Sequence, residues 1–524
     1  MRGGNKVNVA IIGAGIGGLV CALTLALEGH EVEVFEKEAG PGGKARQLPV
    51  GASMVDAGPT VFTMRKVFDA LFERAGERLE DWVSLQQAQI LARHAWNSES
   101  QLDLFADRRA SEEAIGDFAG AQSASEFRSF SAAAERAYTV LEDSFMRSSK
   151  PSSPLALSWR IGMTRLADQL AIRPFSSLWN MIGSHFSDPR LQQLFGRYAT
   201  YCGSSPFKAP GTLSLIAHLE QRGVWIIDGG IHALASAMQM LSEKQGVRFH
   251  FNCQVEQIPD AGAKQQRIVL SQGTEHSCDA IIVNCDPNAL ANKLFGDAAA
   301  RAVKSTPKAE RSFSAMVWIA EAEAKGFPLT HHNVLFSPDY PAEFRELSAG
   351  TTPTDPSIYV CALDRKANSD VHTPNGPERF QIIVNAPANG DTHHYSAEEK
   401  LQCTRAMMQS AQRCGLRLEE PLHHQLLTPN EFERLSPSTG GAIYGQASHG
   451  WAASFQRPGA RTRIPWLYCA GGATHPGAGV PMAALSGLQA AHSLMEDRAS
   501  ARKFHPVAMA GGMSMRSAKT ASTL

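Results

Sequence analysis

The 524-residue sequence has no excess of charge of either sign: 50 Lys and Arg against 51 Asp and Glu leave a formal net charge of −1. A chain without a basic field has no global attraction for phosphate backbones, so no nucleic-acid partner is expected. It also has no CxxC pair. Its nine cysteines are scattered, which argues against a disulfide framework and fits reduced thiols in a cytosolic-facing compartment. Outside residues 9–27 no apolar run is long enough to span a bilayer, so any membrane contact is expected to be peripheral. No tandem repeat recurs at a fixed period. What is present is an ordered globular composition, 43% hydrophobic and 19% charged. The length exceeds the ~250–300 residues at which a single core stops growing.

Residues 7–37 organise the rest. A β-branched run at 9–12 is followed by Gly13, Gly15 and Gly18 in G-x-G-x-x-G register, then by a helix over 19–27 and a second strand over 31–35. Gly13 permits the tight turn, Gly15 lets a pyrophosphate approach the backbone, and Gly18 allows close helix–strand packing. Glu36 falls about 20 residues beyond the glycines, where an acid accepts hydrogen bonds from ribose hydroxyls. The apolar run at 9–27 also resembles a signal peptide or a membrane span. The glycine register and the strand that follows favour a dinucleotide site, holding NAD or FAD.

Residues 39–46, AGPGGKAR, place the Gly42-Gly43 pair beside Lys44 and Arg46, a turn with positive charge. Residues 64–147 read as mainly helical. Residues 155–186 mix Trp159, Arg160, Met163, Arg165, Leu170, Phe175 and Trp179, which suits either a plain cap-domain core or a helical face lying in a membrane interface. Strand patterns recur at 223–228, 247–258 and 279–287, and those at 312–320 and 380–386 suggest a second sheet. A helix is expected over 401–414. A last strand at 466–470 meets Gly471-Gly472, and a helix opens at about Met482. The residues after Arg498 are small and polar and read as a disordered tail. The adjacent pairs His331-His332, His393-His394 and His423-His424 lack ligand spacing or a cysteine partner, so no metal is expected. His475 is the first candidate for a catalytic group.

The combination of GxGxxG…Glu36, GGKA at 42–45, DAGPTVF at 56–62, GVWIIDGGIHAL at 223–234 and LYCAGGATHPGAGVPMAALSG at 467–487 resembles the carotenoid (phytoene) desaturase family of FAD flavoproteins. Within it, HHNVLFS at 331–337 and YGQASHGWAASFQRPGARTRIPWLYCAGG at 444–472 are most similar to the hydroxyneurosporene and methoxyneurosporene desaturase branch, the 1-hydroxycarotenoid 3,4-desaturases. The resemblance implies an α/β fold with an α+β second domain. A discontinuous Rossmann-like FAD-binding domain (5–95, 215–300, 441–498) would carry an inserted helical, membrane-facing cap (96–214) and a substrate domain (301–440), with the tail at 499–524. It implies that Gly13, Gly15 and Gly18 hold the FAD pyrophosphate and Glu36 the adenosine ribose. Gly43 and Lys44 would lie at the phosphates, with Lys44 where many relatives have Arg, and Val255 would set its backbone against the adenine. Gly471 and Gly472 would lie beside the ribityl chain, and Val480, Pro481 and Met482 would set a helix N-terminus, with the N–H groups of Val480 and Met482, against the flavin pyrimidine edge. The implied reaction moves a hydride from an acyclic carotenoid to flavin N5, with a proton lost from the adjacent carbon. The acceptor that reoxidises the flavin, oxygen or quinone, stays open, as does the oligomeric state. The implied location is the cytoplasmic side of a membrane, held peripherally with no signal peptide or transmembrane helix. Alternatives within the fold are phytoene desaturase and other polyene oxidoreductases. A non-enzymatic alternative is a prenyl-binding escort-type protein.

Overall fold

Strands from both ends of the chain lie side by side in one parallel sheet. In the computed structural model, which describes residues 6–173, 175–260, 265–366, 374 and 376–503, its order is Leu467–Cys469, Ala280–Val283, Asn8–Ile12, Glu31–Phe35, Arg248–His250. All four pairings are parallel. The short β-branched runs explain this: strands covered by helices or loops on both faces read as continuous apolar sequence. The helices Ile16–Leu27, Gly230–Lys244 and Val480–Lys503 pack around this sheet and share one core with it.

A seven-stranded sheet forms the second layer, ordered His424–Leu427, Ser314–Ala322, Glu378–Ala386, Ile358–Ala362, His332–Leu335, Ile90–Ala95, Gln101–Phe105. It is antiparallel throughout except where His332–Leu335 runs beside Ile90–Ala95. The expected second sheet at 312–320 and 380–386 supplies two of its adjacent strands. The last two strands correct the helical reading of 64–147. The burial of Gln101–Phe105 alternates strictly, the period-2 signal of a half-buried strand; a further short strand lies at Leu85–Gln87, and the segment is helical at Lys66–Arg74, Arg108–Ala119 and Ala121–Leu141. Two boundaries also move. The last helix opens at Val480, not Met482, and runs to Lys503, taking in the first residues of the tail expected from 499. The remainder of that tail lies outside the described residues.

Candidate functional site

The glycine turns meet at the carboxyl edge of the parallel sheet, the edge where open α/β sheets bind ligands. Ile12, Phe35, Val283 and Cys469 are the last paired residues of four adjacent strands, and their registers lie level with one another. The chain therefore delivers Gly13, Glu36, Asn284 and Gly471 to one line. A cavity of about 940 Å³ opens there and extends over the face of the second sheet.

Gly13 takes φ +100°, and its carbonyl accepts from Asn284 Nδ2 at 3.2 Å. Gly15 is the N-cap of the helix Ile16–Leu27 and has no side-chain cap. The first-turn N–H groups of a helix have no intrahelical acceptor, so this end presents donors and partial positive charge to the cavity. A Cβ on Gly15 meets only Asn284 Nδ2 at 3.0 Å and Gly42 O at 3.9 Å; otherwise it enters the cavity. A Cβ on Gly18 would stand 2.2 Å from Gly13 O, so this glycine serves packing, and it does not line the cavity. Gly42 takes φ +109°, where a Cβ would lie 2.1 Å from Ala45 O, and it bridges to Gly15 in a parallel pairing. The two glycine turns are thus stacked.

Glu36 is buried. Its Oε2 accepts from Ala14 N–H at 2.7 Å and its Oε1 from Glu38 N–H at 2.9 Å. Burial raises its pKa, against the pull of these two bonds. Each oxygen keeps a second lone pair for a diol. Lys44 Nζ donates to Ile443 O at 2.7 Å; burial lowers its pKa while the nearby Asp286 acts the other way. An ammonium has two further donors to offer. Gly43, Lys44, Val255, Gly471, Gly472 and Val480 all line the cavity. Pro481 and Met482 do not; they sit in the first turn of the last helix, behind Val480.

The structure sets His475 apart from the cavity. Its ring is buried and lies outside the cavity wall. Nε2 is 3.0 Å from both Phe145 O and Ser148 O, so it carries the proton and donates to two backbone carbonyls. The ring fastens the π-helical turn Glu142–Met146 to the glycine-rich loop, a positioning role that no spacing in the sequence reveals. Burial pushes its pKa down to about 4, with the two carbonyls acting weakly the other way. The folded protein resists a proton that the unfolded chain accepts near pH 6.5, so this site contributes stability that is lost as pH falls from about 6.5 towards 4, on the order of 3 kcal/mol in all. The expected outcome is that His475→Gln lowers the thermal midpoint at pH 7.5, and that its gap from the unsubstituted protein narrows by pH 5. A gap that is constant with pH would contradict the assignment.

Asn284 and Gly17 were not singled out from the sequence. A Cβ on Gly17 would lie 2.6 Å from Asn284 Oδ1 and 2.8 Å from Gly471 Cα. Asn284 therefore ties the first glycine turn to the last one. Its signal was positional: a polar residue at the carboxyl end of a buried parallel strand. Arg457, also unforeseen, is buried and donates to Tyr444 O, Gly472 O and Gln446 O, fixing the loops that carry the second glycine pair. Spacing along the chain also left His331-His332 without a cysteine partner. The sheet supplies one: Cys361 pairs with His332 in register, and donor atoms of the three residues lie within 4.8 Å of one another. His332 Nδ1 is engaged with Tyr359 Oη at 2.7 Å and His331 Nδ1 with Arg365 O at 2.7 Å.

These features fit FAD. A glycine cradle open to the cavity, two helix N-termini, a buried acid with free lone pairs and a half-buried cation all line one cavity. The family model for flavin-containing amine oxidoreductases matches residues 16–495. The hydroxyneurosporene desaturase of Rubrivivax gelatinosus is 46% identical over 515 residues, covering 98% of both chains. The 1-hydroxycarotenoid 3,4-desaturase of a Flavobacterium species is 31% identical, covering 91% of this chain and 96% of its own. Among solved structures, an oxidoreductase from Methanosarcina mazei superposes with a TM-score of 0.55 at 18% identity, over 93% of this chain and all of that one, a likeness of fold.

Proposed function

The chain belongs to the flavin-containing amine oxidoreductase family and within it to the carotenoid desaturases, and from that premise we propose that it introduces the C3–C4 double bond into 1-hydroxy or 1-methoxy acyclic carotenoids. It is an FAD-dependent oxidoreductase of carotenoid biosynthesis. The observation that carries the substrate reading is the continuity of the cavity. One part is walled by the glycine turns and the other by Val317, Val334, Phe336, Ile358 and Ile383 from the antiparallel sheet. A polyene lying on that apolar wall is brought alongside the dinucleotide site.

Bound FAD supplies the hydride acceptor. The protein's own part is binding, orientation and exclusion of water. The first-turn N–H groups at Ile16 and Gly17 would hold the pyrophosphate, and Glu36 the ribose. The N-terminal end of the last helix, at Val480, would set positive dipole charge where negative charge develops as the hydride arrives. The apolar wall keeps the reacting carbons dry. The test is incubation of the purified yellow protein with hydroxyneurosporene, neurosporene and phytoene in liposomes. A red-shifted product from hydroxyneurosporene is expected. Conversion of phytoene but not of the hydroxylated polyene would overturn the substrate assignment, and a colourless protein unable to take up FAD would overturn the enzyme class.

A bilayer-dissolved substrate needs a membrane-facing entrance, and residues 155–175 supply a surface for one. Leu155, Trp159, Leu170 and Phe175 are each 74–83% exposed, with Arg160, Arg165 and Arg173 exposed among them. Apolar side chains at this exposure, rimmed by cations, suit the headgroup boundary. Trp179, grouped with them in the sequence, faces inward instead and packs on Phe207 and Tyr340. No helix among the described residues is long and apolar enough to cross a membrane. Trp159→Glu combined with Phe175→Glu is expected to cut co-sedimentation with liposomes about tenfold or more, given ~1.5–3 kcal/mol per buried large side chain, with flavin content unchanged. Undiminished sedimentation would sink the membrane assignment.

A further inference from the structure

Four polar side chains converge on one stretch of the apolar cavity wall. Tyr340 and Glu343 stand one turn apart on the helix Tyr340–Ser348, Ser357 precedes the strand Ile358–Ala362, and Asn385 is near the end of Glu378–Ala386. All four line the cavity, next to Phe336 and Ile383. Glu343 is 1% exposed. Asn385 Nδ2 donates to its Oε1 at 2.9 Å and the Ser357 N–H to its Oε2 at 3.1 Å. Its partners are the Asn385 amide and the N–H and hydroxyl of Ser357, not a cation. The Tyr340 hydroxyl is buried and has no hydrogen-bond partner among the described residues. Thr60 and Tyr359, also on this wall, share a 2.7 Å hydrogen bond, and Tyr359 bonds His332 behind it at 2.7 Å.

A buried carboxyl and an unpaired phenol are costly in an apolar cavity unless a ligand group completes them. An alcohol does so in both directions. Its O–H donates to the carboxylate, and its lone pair accepts from the phenol. We propose that Tyr340, Glu343 and Asn385 form a subsite for the end-group hydroxyl of the polyene, and that this subsite selects the 1-hydroxylated chain over the unsubstituted one. The proposal rests on the desaturase reading above and assigns that reading's substrate preference to named residues.

The test compares hydroxyneurosporene with neurosporene in liposomes, using the full-length flavin-loaded protein, Glu343→Gln and Tyr340→Phe. Both substitutions conserve volume, and the flavin spectrum reports folding. The unsubstituted protein is expected to prefer the hydroxylated polyene. Glu343→Gln is expected to lower kcat/KM for it about 10-fold or more, chiefly through KM, and to leave neurosporene unaffected. Tyr340→Phe is expected to act in the same direction. Quenching of protein tryptophan by each polyene reads the same difference without turnover. A preference that survives both substitutions would overturn the subsite. So would an equal fall in kcat on both polyenes, which would instead place Glu343 in the chemical step or its support. A failure of the unsubstituted protein to prefer the hydroxylated polyene would overturn the substrate reading itself, and the subsite with it.

Discussion

A purified Gly15→Val variant is expected to be colourless. The glycine is the N-cap of the first helix, and a Cβ there points past Asn284 Nδ2, at 3.0 Å, into the cavity. The two γ-carbons of valine would fill the space where a pyrophosphate oxygen must come to meet the helix N–H groups. Hydrogen bonds to a charged group contribute ~1.5–3 kcal/mol each, so losing two weakens flavin binding about 100-fold or more. The surroundings do not force unfolding, because the nearest backbone atom is Gly42 O at 3.9 Å. The apoprotein is therefore expected to keep its circular dichroism spectrum. Gly15→Ala adds only the Cβ and is expected to retain flavin with a smaller loss of affinity. Flavin absorbance per protein after gel filtration is the measurement. Stoichiometric flavin in Gly15→Val would remove Gly15 from the pyrophosphate site.

The local half of this site was legible because its chemistry is written in consecutive residues. Gly13, Gly15, Gly18 and Glu36 form one strand–turn–helix–strand unit, and the structure places that unit as its spacing predicts. The glycine pair at 471–472 was legible for the same reason. What escaped depends on register between distant strands. Asn284 reaches Gly13 because Val283 pairs beside Ile12. Cys361 reaches His332 only through the order of the seven-stranded sheet, and Asn385 of that sheet reaches Glu343 on the helix Tyr340–Ser348. His475 shows the same limit from the opposite side. A histidine in a glycine-rich loop next to a cofactor site looks chemical, but its N–H is consumed by Phe145 and Ser148, residues more than 300 positions away. Composition also could not distinguish Trp159 from Trp179: both belong to one aromatic stretch, and only packing shows that one faces outward and the other inward.

The largest loss of stability is expected where the two ends of the chain press together. Gly487 lies in the last helix, and a Cβ on it would stand 2.2 Å from Gly17 O and 3.2 Å from Cys21 N, both backbone atoms of the first helix. On its other side Gly17 is as close to Gly471 and Asn284. The first helix is thus held between the last helix and the second glycine pair, and no rotamer change can relieve a side chain inserted there. Gly487→Val must separate the helices. Overpacking of this kind costs ~1–3 kcal/mol and occasionally more, and the displacement would also move Gly17 relative to Gly471, on opposite sides of the cofactor site. The expected result is a lowered thermal midpoint of the apoprotein together with loss of flavin. Gly15→Val, in contrast, is expected to leave apoprotein stability unchanged and lose flavin alone. Gly183→Ala is the control: its Cβ meets nothing within 4 Å, so it is expected to be neutral or slightly stabilising, by up to about 1 kcal/mol. If Gly487→Val melted like the unsubstituted apoprotein, the contact between the chain ends would not bear on the stability of the fold. The first glycine turn would then hold its place through the parallel sheet alone.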